Sequence, residues 1–597
     1  MAKRATLVLF ALAVVALMIY TLVDRTRMIE ASEIGAFGFE AGELVADFDY
    51  RAIDGRRGSL ESVLDESEAL VVVMRTSECP VSRRYGHRLA ELEREYGQRG
   101  VQFVYLNVSP QDTREKAVED IETFGFEAPY ILDPRAEAAS RLQPRVSSEV
   151  FVIDRARTLR YRGAVDDQFG ITFQNPEVDE RYLKDALDSV LAGKDVEVAS
   201  TEASGCYLEG AQTLVPERPV TYYTRVQRIL DQNCVTCHRE GGVAPMALDS
   251  YEQAYGFRHM IEYMVTQDLM PPWYASPEHG EWANDRSLSE RNERDLLAWI
   301  EAGAPEGDPE LAALPRHLEP GWQLGYEPDV VVRLPEPEEI PESGVLDYRH
   351  VYVKTDWPED RWLTAAEIVP TAPEVVHHVI VYLESPEDEE RGGWVAGYAP
   401  GVPPSEWPEG TGKRIPAGSW LMFELHYTPN GKPHVDDSHL GLVFADGRPE
   451  REVMMAAVAE TEFEIPPHAP NHEVVAEMEF QSPGEILSFL PHMHLRGKAF
   501  RFEMDWVDGT TDTLLHVPRY EFNWQLEYEP AEPLRVRPGD RLRGIAWYDN
   551  SEANPSNPDP SVPVRYGEQS FEEMMFGFFE FVPDGRRGGG ERRAGGQ

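Results

Sequence analysis

The sequence predicts a multidomain chain: an N-terminal transmembrane helix, an α/β domain, a small all-α domain and two all-β sandwich domains. Three observations lead to this reading. Residues 44–200 alternate strand-like and helix-like runs, a Cys-x-x-Cys-His motif at 234–238 lies among helical runs, and the stretch beyond residue 343 holds many short alternating segments without a long helix. A chain of 597 residues is also too long for one core.

Residues 5–23, ATLVLFALAVVALMIYTLV, give 19 apolar or near-apolar positions behind Lys3 and Arg4. Such a run is long enough to span a bilayer with its basic end inside. The following DRTRMIEASEIG offers no small-x-small cleavage site, so an uncleaved membrane anchor over residues 1–28 is favoured over a removed signal. With either outcome the bulk of the chain is expected outside the cytoplasm, in the periplasm or an equivalent space. The formal charge of −48, from 57 basic against 105 acidic residues, argues against nucleic acid or anionic lipid as a partner.

Over 40–200 the runs ALVVVMR, RLAELEREYGQRG, VQFVYLNV and EVFVIDRARTLRYRG alternate as in an α/β sheet with helices on its faces. Cys79 follows the first of these strands and precedes a helix, which lowers the pKa expected for its thiol. TSECPVS carries Thr76-x-x-Cys79. The arrangement resembles thioredoxin-like proteins of the redoxin and peroxiredoxin type. Val72 stands where the peroxiredoxin motif has proline, Ser82 where thioredoxins have a second thiol, and Ser147 where these folds usually place a cis-proline. The resemblance implies the fold, and leaves Cys79 either redox-active or inert. Cys206, in the linker 201–220, either resolves a sulfenic acid on Cys79 or ties the linker to the domain by a disulfide.

Cys234-Val-Thr-Cys237-His238 is a c-type haem attachment motif: two thiols for the vinyl groups and an adjacent imidazole for the iron. A zinc knuckle would need another Cys/His pair nearby, yet the preceding cysteine is Cys206 and none follows Cys237. Val226, Ile229 and Leu230 have helical spacing ahead of the motif, and Ser287 with Glu290 forms a possible capping box for a helix that ends at Gly303. Residues 221–310 resemble a cytochrome c domain, in which Met270 of MPPW matches the distal methionine; Met246 and His259 are its rivals. A thioether trans to histidine favours electron transfer.

A Pro/Glu-rich linker spans 311–335, and the sandwiches are expected at 336–450 and 451–585, before a disordered tail at 586–597. Here His377 and His378 open a strand, His426 lies in LMFELHYT, and His492-Met-His494 lies in FLPHMHLRGK. Positions i and i+2 share a strand face, so His492 and His494 can bind one ion, whereas adjacent His377 and His378 can do so only if the strand bends. These motifs resemble the copper type II ascorbate-dependent monooxygenases, the family of dopamine β-hydroxylase and the peptidylglycine α-hydroxylating enzyme. The resemblance implies two jelly-roll-like sandwiches and two copper ions. One would be held by His377, His378 and His426, the other by His492, His494 and Met574, with Met575 the alternative. Thioether ligation favours Cu(I). Leu490, Phe576 and Phe578 replace the residues that amidating members use on a peptide, so an apolar or aromatic substrate is expected.

The expectation is therefore an exported copper-dependent monooxygenase that hydroxylates a C–H bond with dioxygen, electrons from a one-electron donor passing through its own haem c. Two rivals remain: a non-enzymatic copper and haem electron carrier, and a thiol-dependent peroxide or disulfide reductase.

Overall fold

The computed structural model describes residues 40–585 apart from 172, 209–219, 241, 316–321, 345 and 386–392. The expected anchor over 1–28 and the tail 586–597 lie outside the described residues. Among the described residues no helix is long and apolar enough to cross a membrane. The chain divides into two compact units, Met1–Gln232 with Arg294–His317, and Asn233–Glu293 with Leu318–Gln597.

The first unit is built on a five-stranded sheet: β1 (Ala69–Arg75), β2 (Val101–Asn107), β3 (Tyr130–Leu132), β4 (Val150–Asp154) and β5 (Leu159–Gly163), in the order β3-β2-β1-β4-β5. The first three run parallel, while β4 and β5 are antiparallel to their neighbours. All of β1 is buried, as an apolar run covered on both faces requires. Val71 and Val73 join one core cluster, while Leu70, Val72 and Met74 join another. The run EVFVIDRARTLRYRG folds as a hairpin. The Asp154 carboxylate accepts from the Ala156 and Thr158 N–H groups, and Arg157 takes φ +58° at the turn. Between β1 and β2 lie α1 (Pro80–Arg84) and α2 (Gly86–Gly97), with α3 (Arg114–Phe124) after β2 and α4 (Tyr182–Leu191) after β5.

Of residues 221–310, expected as an all-α domain, the two ends group with the α/β domain and the middle with the second unit. The cause is buried polar bonding. Before α5 (Gln227–Asn233) and within it, Arg225 pairs with Glu43 and Arg228 donates to Thr158 Oγ1 and the Ala156 carbonyl. In the other direction, the Trp282 ring meets Phe489 and Tyr528, and Asn284 bonds the backbone of Glu527 and Glu529. Helix α6 (Tyr251–Thr266) was not foreseen; α7 (Glu290–Glu301) forms as expected, but it is capped by Ser289, whose Oγ accepts from Asn292 N, and not by Ser287.

In the second unit lie two sandwiches. The first pairs a sheet of β7 (Arg349–Lys354), β12 (Trp420–Tyr427), β9 (Val376–Leu383) and β10 (Gly393–Tyr398) with one running β14 (Arg451–Glu452), β11 (Thr411–Ile415), β8 (Arg361–Val369), β13 (His439–Phe444) and β6 (Val330–Arg333). Strand β6 falls within the stretch read as linker, and β14 pairs back to β11 from beyond the expected boundary at 450. Val379, Phe423 and Leu425 from one sheet meet Leu363, Ile368 and Leu442 from the other in the core. The second sandwich faces β15 (Met454–Glu460), β22 (Met575–Pro583), β17 (Gly484–His492) and β20 (Leu534–Val536) against β16 (His472–Glu479), β21 (Arg541–Tyr548), β18 (Gly497–Asp505) and β19 (Thr511–Val517). Phe489 and Phe579 pack there on Phe500 and Phe502.

Candidate functional site

In the α/β unit Cys79 is the N-cap of α1 and is 2% exposed. Ser147 is fully buried beside it, and the Cys206 N–H lies 3.1 Å from Ser147 Oγ and 3.3 Å from Cys79 Sγ. Burial raises the Cys79 pKa, but hydrogen bonds from the Ser147 hydroxyl, the Ser82 N–H and Cys206 outweigh it and hold the thiol below its usual value. Cys206 is exposed, and its pKa is pushed up to about 11, by desolvation first and by Cys79 second. The two cysteines that sequence reasoning left over are thus brought together.

The haem motif turns tightly after α5. The Cys237 and His238 N–H groups both donate to the Cys234 carbonyl, at 3.1 and 2.8 Å. His238 Nδ1 lies 3.1 Å from the Met246 carbonyl oxygen, which fixes the ring and leaves Nε2 as the atom for an iron. Burial holds the His238 pKa below its usual value. Met246 meets His238 through its backbone carbonyl, and His259 lies on an exposed face against Glu262. Met270 follows α6, partly buried, with its N–H directed to the Met264 carbonyl. The haem motif and the first sandwich approach each other: a Cβ on Gly401 would lie 3.5 Å from Cys237 Sγ.

Candidate ligand atoms of His377, His378 and His426 lie within 4.8 Å of one another. Strand parity alone would split the adjacent pair, but the pairing of β9 with β12 shifts register between Val376 and His378, and this bulge turns both rings to one site. His378 and His426 are direct cross-strand partners, with ring centroids 5.0 Å apart. Burial holds His378 well below its usual pKa, reinforced by four other histidines, and lowers His426 to about 3. His426 Nδ1 is buried without a hydrogen-bond partner. Neutral imidazoles with an unused ring nitrogen are what a metal ion of this class requires.

The other histidines converge from the second sandwich. His492 ends β17, and its ring centroid lies 5.3 Å from that of His494, whose pKa burial lowers to about 3. Glu573 ties this loop to the methionine segment: its carboxylate accepts from the His494 and Arg496 N–H groups at 2.9 and 2.6 Å, one residue before Met574. The two methionines differ in burial. Met575 is fully buried in the core, while Met574 is half-buried on the side shared with Phe576, the cross-strand partner of His492.

Sequence reasoning missed the loop that joins the two histidine groups. The Phe522 ring lies 5.6 Å from His377 and 6.2 Å from His494, Asn523 Oδ1 meets His377 Nε2 at 3.3 Å, and Gln525 Oε1 meets His492 Nδ1 at 2.8 Å. The stretch EFNWQ has no strand period or motif to reveal it. Beside these groups a cavity is lined by His378, Trp394, Tyr398, Leu490, Gln525 and Glu527. Burial, with Glu580 adding repulsion, raises the Glu527 pKa to about 8.

Residues 41–162 match the family described as AhpC/TSA. The N-terminal domain is therefore thioredoxin-like with an AhpC/TSA-type sequence. Among solved structures, a hypothetical protein from Sinorhizobium meliloti is similar at 26% identity and a TM-score of 0.27, covering 29% of this chain and 96% of that one. Peroxidoxin BcpB from Mycobacterium tuberculosis is similar at 17% identity and a TM-score of 0.21, covering 26% and 97%. A thiol:disulfide interchange protein DsbE, so described, from Chlorobium tepidum gives 16% and 0.22, covering 26% and 99%. No curated protein matches the chain.

Proposed function

We propose that the chain is an extracytoplasmic oxidoreductase with two chemistries: thiol redox in the thioredoxin-like domain, and copper-dependent hydroxylation of a C–H bond in the paired sandwiches. The AhpC/TSA match and the approach of Cys206 to Cys79 support the first. The second rests on one observation, the convergence of His377, His378 and His426 around the unpartnered Nδ1 of His426.

Copper held by these three and by His492, His494 and Met574 would supply the activation of dioxygen. A haem on Cys234 and Cys237, ligated by His238 and Met270, would supply electrons one at a time. The chain's own residues do the rest. Asn523 and Gln525 orient His377 and His492 through the ring nitrogens they bond. Glu573 fixes His494 relative to Met574. Trp394 and Leu490 line this cavity, with Phe578 5.9 Å from the Trp394 ring, which suits a small apolar or aromatic substrate.

The copper-to-haem ratio of desalted protein, followed by oxygen uptake with a panel of apolar substrates, tests the second chemistry. Two coppers per haem and substrate-dependent uptake that His492→Ala abolishes are expected. Copper uptake without such turnover would leave the electron-carrier reading. For the thiol chemistry, Cys79→Ser is expected to remove turnover of peroxide or of a model disulfide.

A further inference from the structure

Residues 204–208 lie along residues 145–148 as a short antiparallel ladder. The Ser147 N–H donates to the Cys206 carbonyl and the Leu208 N–H to the Arg145 carbonyl, both at 3.0 Å, and Val146 pairs with Tyr207. The Ser148 hydroxyl donates to the Ser204 carbonyl. A Cβ on Gly205 would lie 2.9 Å from Ser148 Oγ and 3.1 Å from Ser147 N, so the approach is one that glycine alone permits without displacement. Leu208, 5% exposed, anchors the far end in a core cluster.

This ladder carries a thiol from 127 residues downstream onto Cys79, while Ser82, the local residue at the second-thiol position, presents a buried hydroxyl with no hydrogen-bond partner. The two sulfurs differ in access, since Cys79 is buried and Cys206 exposed. We propose that Cys79 and Cys206 form a reversible dithiol–disulfide couple that exchanges electrons with a dithiol partner through the Cys206 sulfur alone. The inference rests on the thiol reading of this domain and adds the second thiol, the point of entry and the class of partner.

The exchange balances without any other reagent. A partner thiolate attacks the Cys206 sulfur of the closed disulfide, the Cys79–Cys206 bond breaks, and its electron pair leaves on Cys79. The partner's second thiol, once deprotonated, attacks the partner sulfur now bound to Cys206. That releases Cys206, which takes up a proton, and the partner departs as a disulfide. The partner's dithiol is oxidised and the chain's disulfide is reduced to two sulfhydryl groups, with the protons of one passing to the other. Leaving-group chemistry points the same way as access. Cys206 is pushed up to about 11 and Cys79 is held below its ordinary value, so Cys79 is the better leaving group. Access multiplies that preference.

The test uses the full-length holoprotein. It is oxidised with diamide, partly reduced with glutathione, quenched in acid, alkylated with N-ethylmaleimide and mapped by peptide mass, which keeps Cys234 and Cys237 separate. A Cys79–Cys206 cross-linked peptide is expected after oxidation, and during reduction glutathione on Cys206 with maleimide on Cys79, severalfold over the reverse. Gly205→Val, which pushes the ladder apart while both thiols remain, should slow closure of the disulfide severalfold. Equal labelling of both sulfurs, or no cross-linked peptide, overturns the proposal. If Cys79→Ser removes peroxide or disulfide turnover while wild-type protein forms no cross-link, the couple falls and the thiol reading stands. If the couple cycles with the stated preference and no turnover is found, the couple stands and the catalytic reading falls.

Discussion

His426→Ala separates the two histidine groups experimentally. In metal-free protein the His426 Nδ1 is buried and unpartnered, a burden of about 1–3 kcal/mol that removal of the ring relieves. The relief offsets lost packing, so the metal-free melting temperature should move by no more than a few degrees. Copper at about 100 times its dissociation constant stabilises by about 2.7 kcal/mol per site. At roughly 2–4 °C per kcal/mol, that is about 5–10 °C for each occupied site. Calorimetry with and without copper, together with metal analysis after desalting, should show the copper-induced shift cut by about half and one bound copper fewer per chain. A variant that keeps both the full metal count and the full shift would refute the assignment of His426 as a ligand.

Three further outcomes follow from the same geometry. His426 and His494 titrate near 3 when folded and near 6.5 when unfolded, so between these values the unfolded chain binds more protons. Metal-free protein should therefore lose about 1.4 kcal/mol per histidine per pH unit on acidification below about 6.5, seen as falling denaturation midpoints. Glu527 has the opposite sense: its folded pKa of about 8 means that the folded chain holds the extra proton between about 4.5 and 8, and stability falls as the pH rises through that window. Glu527→Gln should flatten this fall and stabilise the protein by at least about 1 kcal/mol at pH 9, measured by urea unfolding. Ser147→Ala removes a hydrogen bond that lowers the Cys79 pKa, so alkylation of Cys79 at neutral pH should slow and its pH profile shift upward.

Much of this organisation was legible from the chain. The alternation of ALVVVMR with helical runs gives the α/β order because a strand buried on both faces must be apolar throughout. Cys79 was placed at a helix start by the same reading, and Pro80 at the first helical position agrees with it. At His377 and His378 parity left open whether the strand bends, since a one-residue bulge is a tertiary feature with no local signature. Around 221–310, Arg225, Arg228 and Asn284 act through partners far away in sequence, which no local pattern encodes. Phe522, Asn523 and Gln525 escaped because an irregular loop reports nothing about what it bridges.

The extra residue in β9 makes the first histidine group separable from the sandwich that carries it. Deleting one residue near 377 would restore ordinary pairing with β12 and send one imidazole to the opposite face, while Val379, Val381 and Phe423 could keep their places in the core. A lineage could thus switch metal binding off, or regain it, by a three-nucleotide change that leaves the scaffold standing. Relatives of this chain should include ones with an intact sandwich and a flat β9, and the length of that strand, more than the presence of histidines, would tell the two kinds apart.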